Sequence, residues 1–94
     1  MRIDRFENDG ECELRLRGEL CLSSAREVFE RALAEDCSRV VIDFSACEVE
    51  DRALSALADL LNEANVRLAV RGLRERQLRL LEYLGAIGGA ADGR

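Results

Sequence analysis

Residues 40–61 read VVIDFSACEVEDRALSALADLL. The β-branched and aromatic run from Val40 to Phe44 predicts a strand. The chain is then expected to turn through Ser45–Glu50 and to enter a helix near Asp51, where Leu54, Leu57, Leu61 and Ala64 recur at helical spacing. A strand that feeds a helix through a short acidic loop is half of a βαβ unit. That loop lies just past the carboxyl end of the strand, where open α/β sheets place their working residues.

Toward the N-terminus, Arg2–Phe6 reads as a short strand and Asn8-Asp9-Gly10 as a hairpin turn, since Asp-Gly tolerates positive φ. In Cys12–Gly18 the residues Cys12, Leu14 and Leu16 share one face, and Glu13, Arg15 and Arg17 the other. Ser24 with Glu27 fits a capping box. It opens a helix with an apolar stripe of Ala25, Val28, Phe29, Ala32 and Leu33 that ends near Asp36. In the central strand Val40, Ile42 and Phe44 oppose Arg39, Val41 and Asp43. Toward the C-terminus, Val66, Leu68 and Val70 alternate with Arg67, Ala69 and Arg71, and Gly72 ends that strand. A last helix over Arg74–Leu84 turns Leu78, Leu81 and Leu84 inward and stops at Gly85. Residues 1–87 read as one domain and 88–94 as a flexible tail.

Strands apolar on one face only put all the helices on that face, because a parallel sheet covered on both sides would read as continuous apolar runs. Right-handed crossovers, the rule in about 98% of cases, step in one direction when they share a face. The expected fold is α/β: a four-stranded mixed sheet, order 1-2-3-4, first strand antiparallel, with a single layer of helices. This order brings the loop Glu19–Ser24 beside the loop Ser45–Asp51. Both following helices start there, which suits an anion.

Composition narrows the function. The chain has 94 residues and a net charge of -5, and every basic side chain is arginine. Acidity argues against nucleic acid. The arginines of the open sheet face (Arg15, Arg17, Arg39, Arg67 and Arg71) are diluted by Glu13 and Asp43 and lack stacking aromatics, so a solvated face is expected. Arg71, Arg74, Arg76 and Arg79 form a further modest basic row. No apolar run suits a membrane span and no signal-peptide core is visible, so a cytoplasmic protein without direct membrane insertion is expected. Cys12, Cys21, Cys37 and Cys47 form no Cys-x-x-Cys pair and there is no histidine. Reduced, incidental thiols are expected, with no metal and no cofactor. No nucleophile–base pair or phosphate-binding glycine loop appears, so catalysis is not expected.

Four segments in order resemble the STAS domain, the fold of anti-sigma factor antagonists and of the cytoplasmic ends of sulfate transporters. Leu16-Arg17-Gly18-Glu19-Leu20 is similar to the family's "sGelD" segment and Val41-Ile42-Asp43-Phe44-Ser45 to its "vvlDls" strand. Glu50-Asp51 before a helix is similar to "iDSsG", and Leu78–Gly85 to "rrllellG". The resemblance implies a protein-binding regulator of bacterial partner switching. In such antagonists a kinase that doubles as the anti-sigma factor phosphorylates the serine after the aspartate, and the added charge breaks the complex. Here Asp51 is kept, but the serine position is Arg52, followed by Ala53 and Leu54, and the aspartate after "Gel" is Cys21. The resemblance therefore implies the fold without phosphorylation at residue 52.

Ser55 lies a turn inside the helix and is a poor substitute, while Ser23 and Ser24 are better explained as helix caps. Arg52 reads either as a surface arginine paired with Glu48, Glu50 or Asp51, or as a contact for an acidic partner surface or anion. The acidic trio reads first as a helix-start preference. The expected partner-binding residues are Cys21, Ser23, Glu48, Glu50, Asp51, Arg52, Ser55 and Asp59. The expected partner is an anti-sigma factor kinase or related signalling protein. A cytoplasmic accessory subunit of a lipid or anion transporter, or a scaffold component, is the alternative. The sequence leaves the oligomeric state open.

Overall fold

A computed structural model describes residues 1–66 and 68–85. The elements are β1 (Arg2–Asn8), β2 (Glu11–Leu20), α1 (Leu22–Ala34), β3 (Arg39–Val49), α2 (Asp51–Glu63), β4 (Ala69–Arg71) and α3 (Glu75–Tyr83). They form one four-stranded sheet in the order β1-β2-β3-β4. β1 is antiparallel to β2, whereas β2–β3 and β3–β4 are parallel. The expected tail at 88–94, the domain limit at 87 and the side-chain direction of Arg67 lie outside the described residues.

The alternating strands act as read. Leu14, Leu16, Ile42, Phe44 and Val70 join Val28 and Phe29 of α1, Leu54, Leu57 and Leu61 of α2, and Leu81 of α3 in one buried cluster. All three helices therefore cover the same face. Asp9 and Gly10, both at positive φ, form the two-residue hairpin that pairs Asn8 with Glu11. The open face carries charges in alternation, and they pair: Arg2 and Arg17 with Asp4, Arg15 and Arg71 with Glu13, Arg39 with Glu11. The Arg71–Glu13 bridge spans β3 from β4 to β2 and roofs Val41, which is buried outside the helix-side cluster. Of the expected basic row, Arg71 pairs with Glu13, Arg76 with Asp51 and Arg79 with Glu75, and Arg74 has no ion pair among the described residues.

Four expectations are corrected. First, β3 does not turn after Phe44 but continues to Val49. Arg15 pairs with Asp43 while Arg17 pairs with Ala46, so β3 holds one extra residue, a bulge. The bulge reverses the pleat: Ile42 and Phe44 point at the helices before it, and Cys47 and Val49 pack there after it. Asp43 stabilises the bend by accepting from the backbone N–H of Ser45 at 2.9 Å and from its hydroxyl.

Second, β4 starts at Ala69, not near Val66. The preceding residues still close α2. Asn65 is left-handed, its N–H donates to Asn62 O, and the N–H of Val66 donates to Leu61 O at 2.9 Å. This is a Schellman closure, which an alternating apolar pattern cannot reveal. Third, α1 starts at Leu22 with Cys21 as its N-cap, three residues before the expected cap at Ser24. Fourth, Cys12 and Cys37 form a disulfide, so only Cys21 and Cys47 are free thiols. Residues 25 apart in sequence meet here because α1 returns the chain to the start of β2.

Candidate functional site at the starts of α1 and α2

The parallel pairing of β2 and β3 runs to Leu20 opposite Val49, and the N–H of Glu50 donates to Leu20 O at 3.2 Å. The N-caps of α1 and α2, Cys21 and Glu50, are thus one hydrogen bond apart along the sheet edge. The expected juxtaposition of the two loops holds, although the second is the end of a strand rather than a loop.

At α1 the cap is a sulfur version of the capping box. Cys21 Sγ accepts from the backbone N–H of Ser24, and the N–H of Cys21 donates to Ser24 Oγ at 2.9 Å. Ser23 Oγ lies 3.2 Å from Cys21 Sγ. The Ser23 and Ser24 hydroxyls and the Ser24 N–H stabilise the thiolate and bring the Cys21 thiol down to about 7. A cap spelled Cys-x-x-Ser instead of Ser-x-x-Glu hid this arrangement from the sequence.

At α2 the carboxylate of Asp51 turns away from its neighbour. Arg76 Nη1 donates to Asp51 Oδ2 at 2.6 Å and Gln77 Nε2 donates to Oδ1 at 3.3 Å. These donors hold the Asp51 carboxyl below the usual carboxylate range. Gln77 Nε2 also reaches Val49 O at 3.1 Å, so α3 is tied to the junction of β3 and α2. Asp51 is therefore a structural link, and the expected pairing of Arg52 with it is not formed. Among the described residues Arg52 has no ion pair, and it is exposed. Glu48 and Glu50 are exposed beside it, Ser55 is half-buried and Asp59 is exposed.

Two features were not singled out from the sequence. Leu22, the first residue of α1, is 48% exposed. Leu22, Ala25 and Arg26 face Ala56, Asp59, Leu60 and Glu63 across an open groove of about 310 Å³ between α1 and α2. Arg52 lies one helical turn before Ala56 on α2, outside the residues that line that groove. The spacing was legible, but which helix lay opposite was not.

Among the described residues, Glu7, Cys12 and Cys37 bring ligand atoms within 4.8 Å of one another, at the other end of the sheet. Their sulfurs are joined, and the guanidinium of Arg5 sits among them, 2.8 Å from Glu7 and 2.7 Å from Glu35. A second cation does not fit there.

Comparison with known proteins agrees with this architecture. The family described as "Mlab, STAS domain" matches residues 4–88. An antisigma-factor antagonist STAS domain from Rhodobacter sphaeroides superposes with a TM-score of 0.54 at 19% identity, covering 76% of this chain and 85% of that one. A serine-to-glutamate variant of RsbS from Moorella thermoacetica gives a TM-score of 0.58 at 19% identity, covering 98% and 88%. No curated protein sequence matches the chain.

Proposed function

The chain belongs to the STAS domain family, and we propose that it acts within it as a non-catalytic, cytoplasmic protein-binding regulator. In this reading a signalling protein, such as an anti-sigma factor kinase, docks across the starts of α1 and α2. The observation that carries it is Arg52: a guanidinium directly after Asp51, exposed and without an ion pair among the described residues. It stands where the family resemblance places the phosphorylated serine. Arginine takes no phosphate from a serine kinase, so binding here is constitutive and not switched at residue 52. Arg52 supplies a permanent cation for an acidic partner surface, where a phosphoserine would supply a removable anion. Leu22 and the apolar floor of the α1–α2 groove, Ala25, Ala56 and Leu60, provide the desolvated part of the contact. Cys21, Ser23, Glu48, Glu50, Ser55 and Asp59 surround it, while Asp51 holds the surface in shape through α3.

The test is calorimetric titration against a purified kinase-type anti-sigma factor from the same host. Arg52→Glu and Leu22→Asp should each weaken binding by about tenfold or more, as central interface residues do. With ATP present, mass spectrometry should find no phosphate on the wild-type chain and phosphate on Arg52→Ser. Stoichiometric phosphoserine at Ser55 would defeat this reading. Binding only to a transporter ATPase, unaffected by ATP, would move the protein to the transport-linked role.

A further inference from the structure

The disulfide lies at the end of the sheet away from the starts of α1 and α2. Cys12 sits at the start of β2, and Cys37 in the segment between α1 and β3. The two sulfurs are not equivalent. Cys12 is fully buried, whereas Cys37 is half-buried between exposed Asp36 and Ser38. Thiol–disulfide exchange needs a thiolate to reach one sulfur while the other leaves. Here the Cys37 sulfur is the one open to attack, and the Cys12 sulfur is the one that leaves.

The leaving sulfur meets a cation. Arg5 Nη2 donates to Cys12 Sγ at 3.3 Å and lies 3.9 Å from Cys37 Sγ. A bonded sulfur is a weak acceptor and gains little from that contact. A thiolate in its place gains a charge-assisted hydrogen bond. Two carboxylates fix the guanidinium there, Glu7 at 2.8 Å and Glu35 at 2.7 Å. Both repel a thiolate through space, but the guanidinium is the group in direct contact with it. The Cys37 segment is also tied independently of the sulfurs: the N–H and the hydroxyl of Ser38 donate to Gly10 O at 3.1 and 2.9 Å. The two thiols left by reduction therefore stay close enough to rejoin.

We propose that Cys12–Cys37 is a reversible redox switch that opens and closes within the folded domain, with Cys37 as the sulfur attacked and Cys12 leaving as a thiolate onto Arg5. The reductant is a dithiol. Its first thiolate bonds to Cys37, and the Cys12 sulfur leaves with the electron pair. Its second thiol then displaces Cys37, so the dithiol ends as a disulfide and two electrons and two protons end on Cys12 and Cys37. The oxidant is hydrogen peroxide. The Cys37 thiolate takes one oxygen as sulfenic acid while hydroxide leaves, and the Cys12 thiol then displaces that oxygen as water. When the bond is closed, the end of α1 is locked to the start of β2. When it is open, only the Arg5–Glu35 and Ser38–Gly10 contacts hold that end. In reducing compartments, disulfides are mostly of this exchanging kind. The inference is independent of the surface at α1 and α2, and its test uses no partner protein.

The full oxidised chain is treated with millimolar dithiothreitol at neutral pH without denaturant. Circular dichroism follows the fold, and quenched alkylation with peptide mapping follows each cysteine. The bond should open while the fold persists, with Cys37 labelled and Cys12 spared. After the reductant is removed, hydrogen peroxide should close the bond again. Arg5→Gln should slow the opening by about threefold or more, and Arg5→Lys, which keeps the charge, should restore most of the rate. Four results would each overturn the proposal: opening only as fast as the chain unfolds, Cys12 labelled before Cys37 in the folded protein, no closure with peroxide, or Arg5→Gln opening at the wild-type rate.

Discussion

Arg76 Nη1 holds Asp51 Oδ2 at 2.6 Å across 25 positions of chain, while Arg52, one residue from that carboxylate, is left without an ion pair among the described residues. The start of α2 is thereby tied to α3, and the cation next to it stays exposed. A guanidinium and a carboxylate adjacent on a helix point in different directions. A guanidinium on the next helix can approach head-on.

That tie predicts a pH dependence. The Asp51 carboxyl is lowered by Arg76 first and by Gln77 second. Its contribution is present above the unfolded carboxylate value, near ~4, and is lost as pH falls through the lower folded value. Asp43 adds in the same direction: burial raises it, but Ser45, Arg71 and Glu13 outweigh that and leave it low. Thermal melts from pH 6 downward should show the midpoint falling below about pH 4. Asp51→Asn should flatten part of that fall and lower the midpoint slightly at neutral pH.

Gly72 is the second point of sensitivity. At φ +84 a Cβ there would sit 2.5 Å from Ser45 N and 2.9 Å from Asp43 Oδ1, against the β3 bulge. Gly72→Ala should therefore cost more than the ~1–2 kcal/mol of the left-handed backbone alone. Gly85→Ala, at φ +73 with nothing within 4 Å, should cost only about that backbone amount. Urea denaturation of the two variants should rank them in that order.

Phe44 is the last core residue before the bulge and is 1% exposed. Phe44→Ala should lose roughly 3–5 kcal/mol, a large share of the ~5–15 kcal/mol of a small domain. Phe6→Ala, which removes a 46% exposed ring stacked 4.1 Å under the guanidinium of Arg15, should lose under ~1.5 kcal/mol. Chemical denaturation separates the two.

The four cysteines should divide two and two. Alkylation of the unreduced protein should label Cys21 and Cys47 and spare Cys12 and Cys37. The Cys21 rate should rise through about pH 7, where its thiol titrates, and Cys47 should need higher pH because burial pushes its thiol up. Reduction should open Cys37 to label, with fully buried Cys12 labelling only as the chain unfolds, and lower stability by roughly 2–4 kcal/mol. Cys37→Ser should have that lower stability already, with no further response to reductant.

What the amino-acid order settles by itself is periodic. Alternation at Cys12–Leu16 and Val40–Phe44 makes the sheet one-sided, Asp9-Gly10 makes the hairpin, and the handedness of crossovers makes the strand order 1-2-3-4. These follow from local sterics and from burial of whichever face is apolar, and both are written in neighbouring residues. Packing decided the rest. The bulge that carries β3 to Val49 exists because β2 runs on beside it, and it reverses which residues face the core. Cys21 as cap, Cys12 joined to Cys37, and Asp51 held by Arg76 are choices among chemically equivalent partners. Which partner wins depends on which atoms the folded chain brings within about 3 Å, a distance that hydrogen bonds require and that spacing along the chain does not contain.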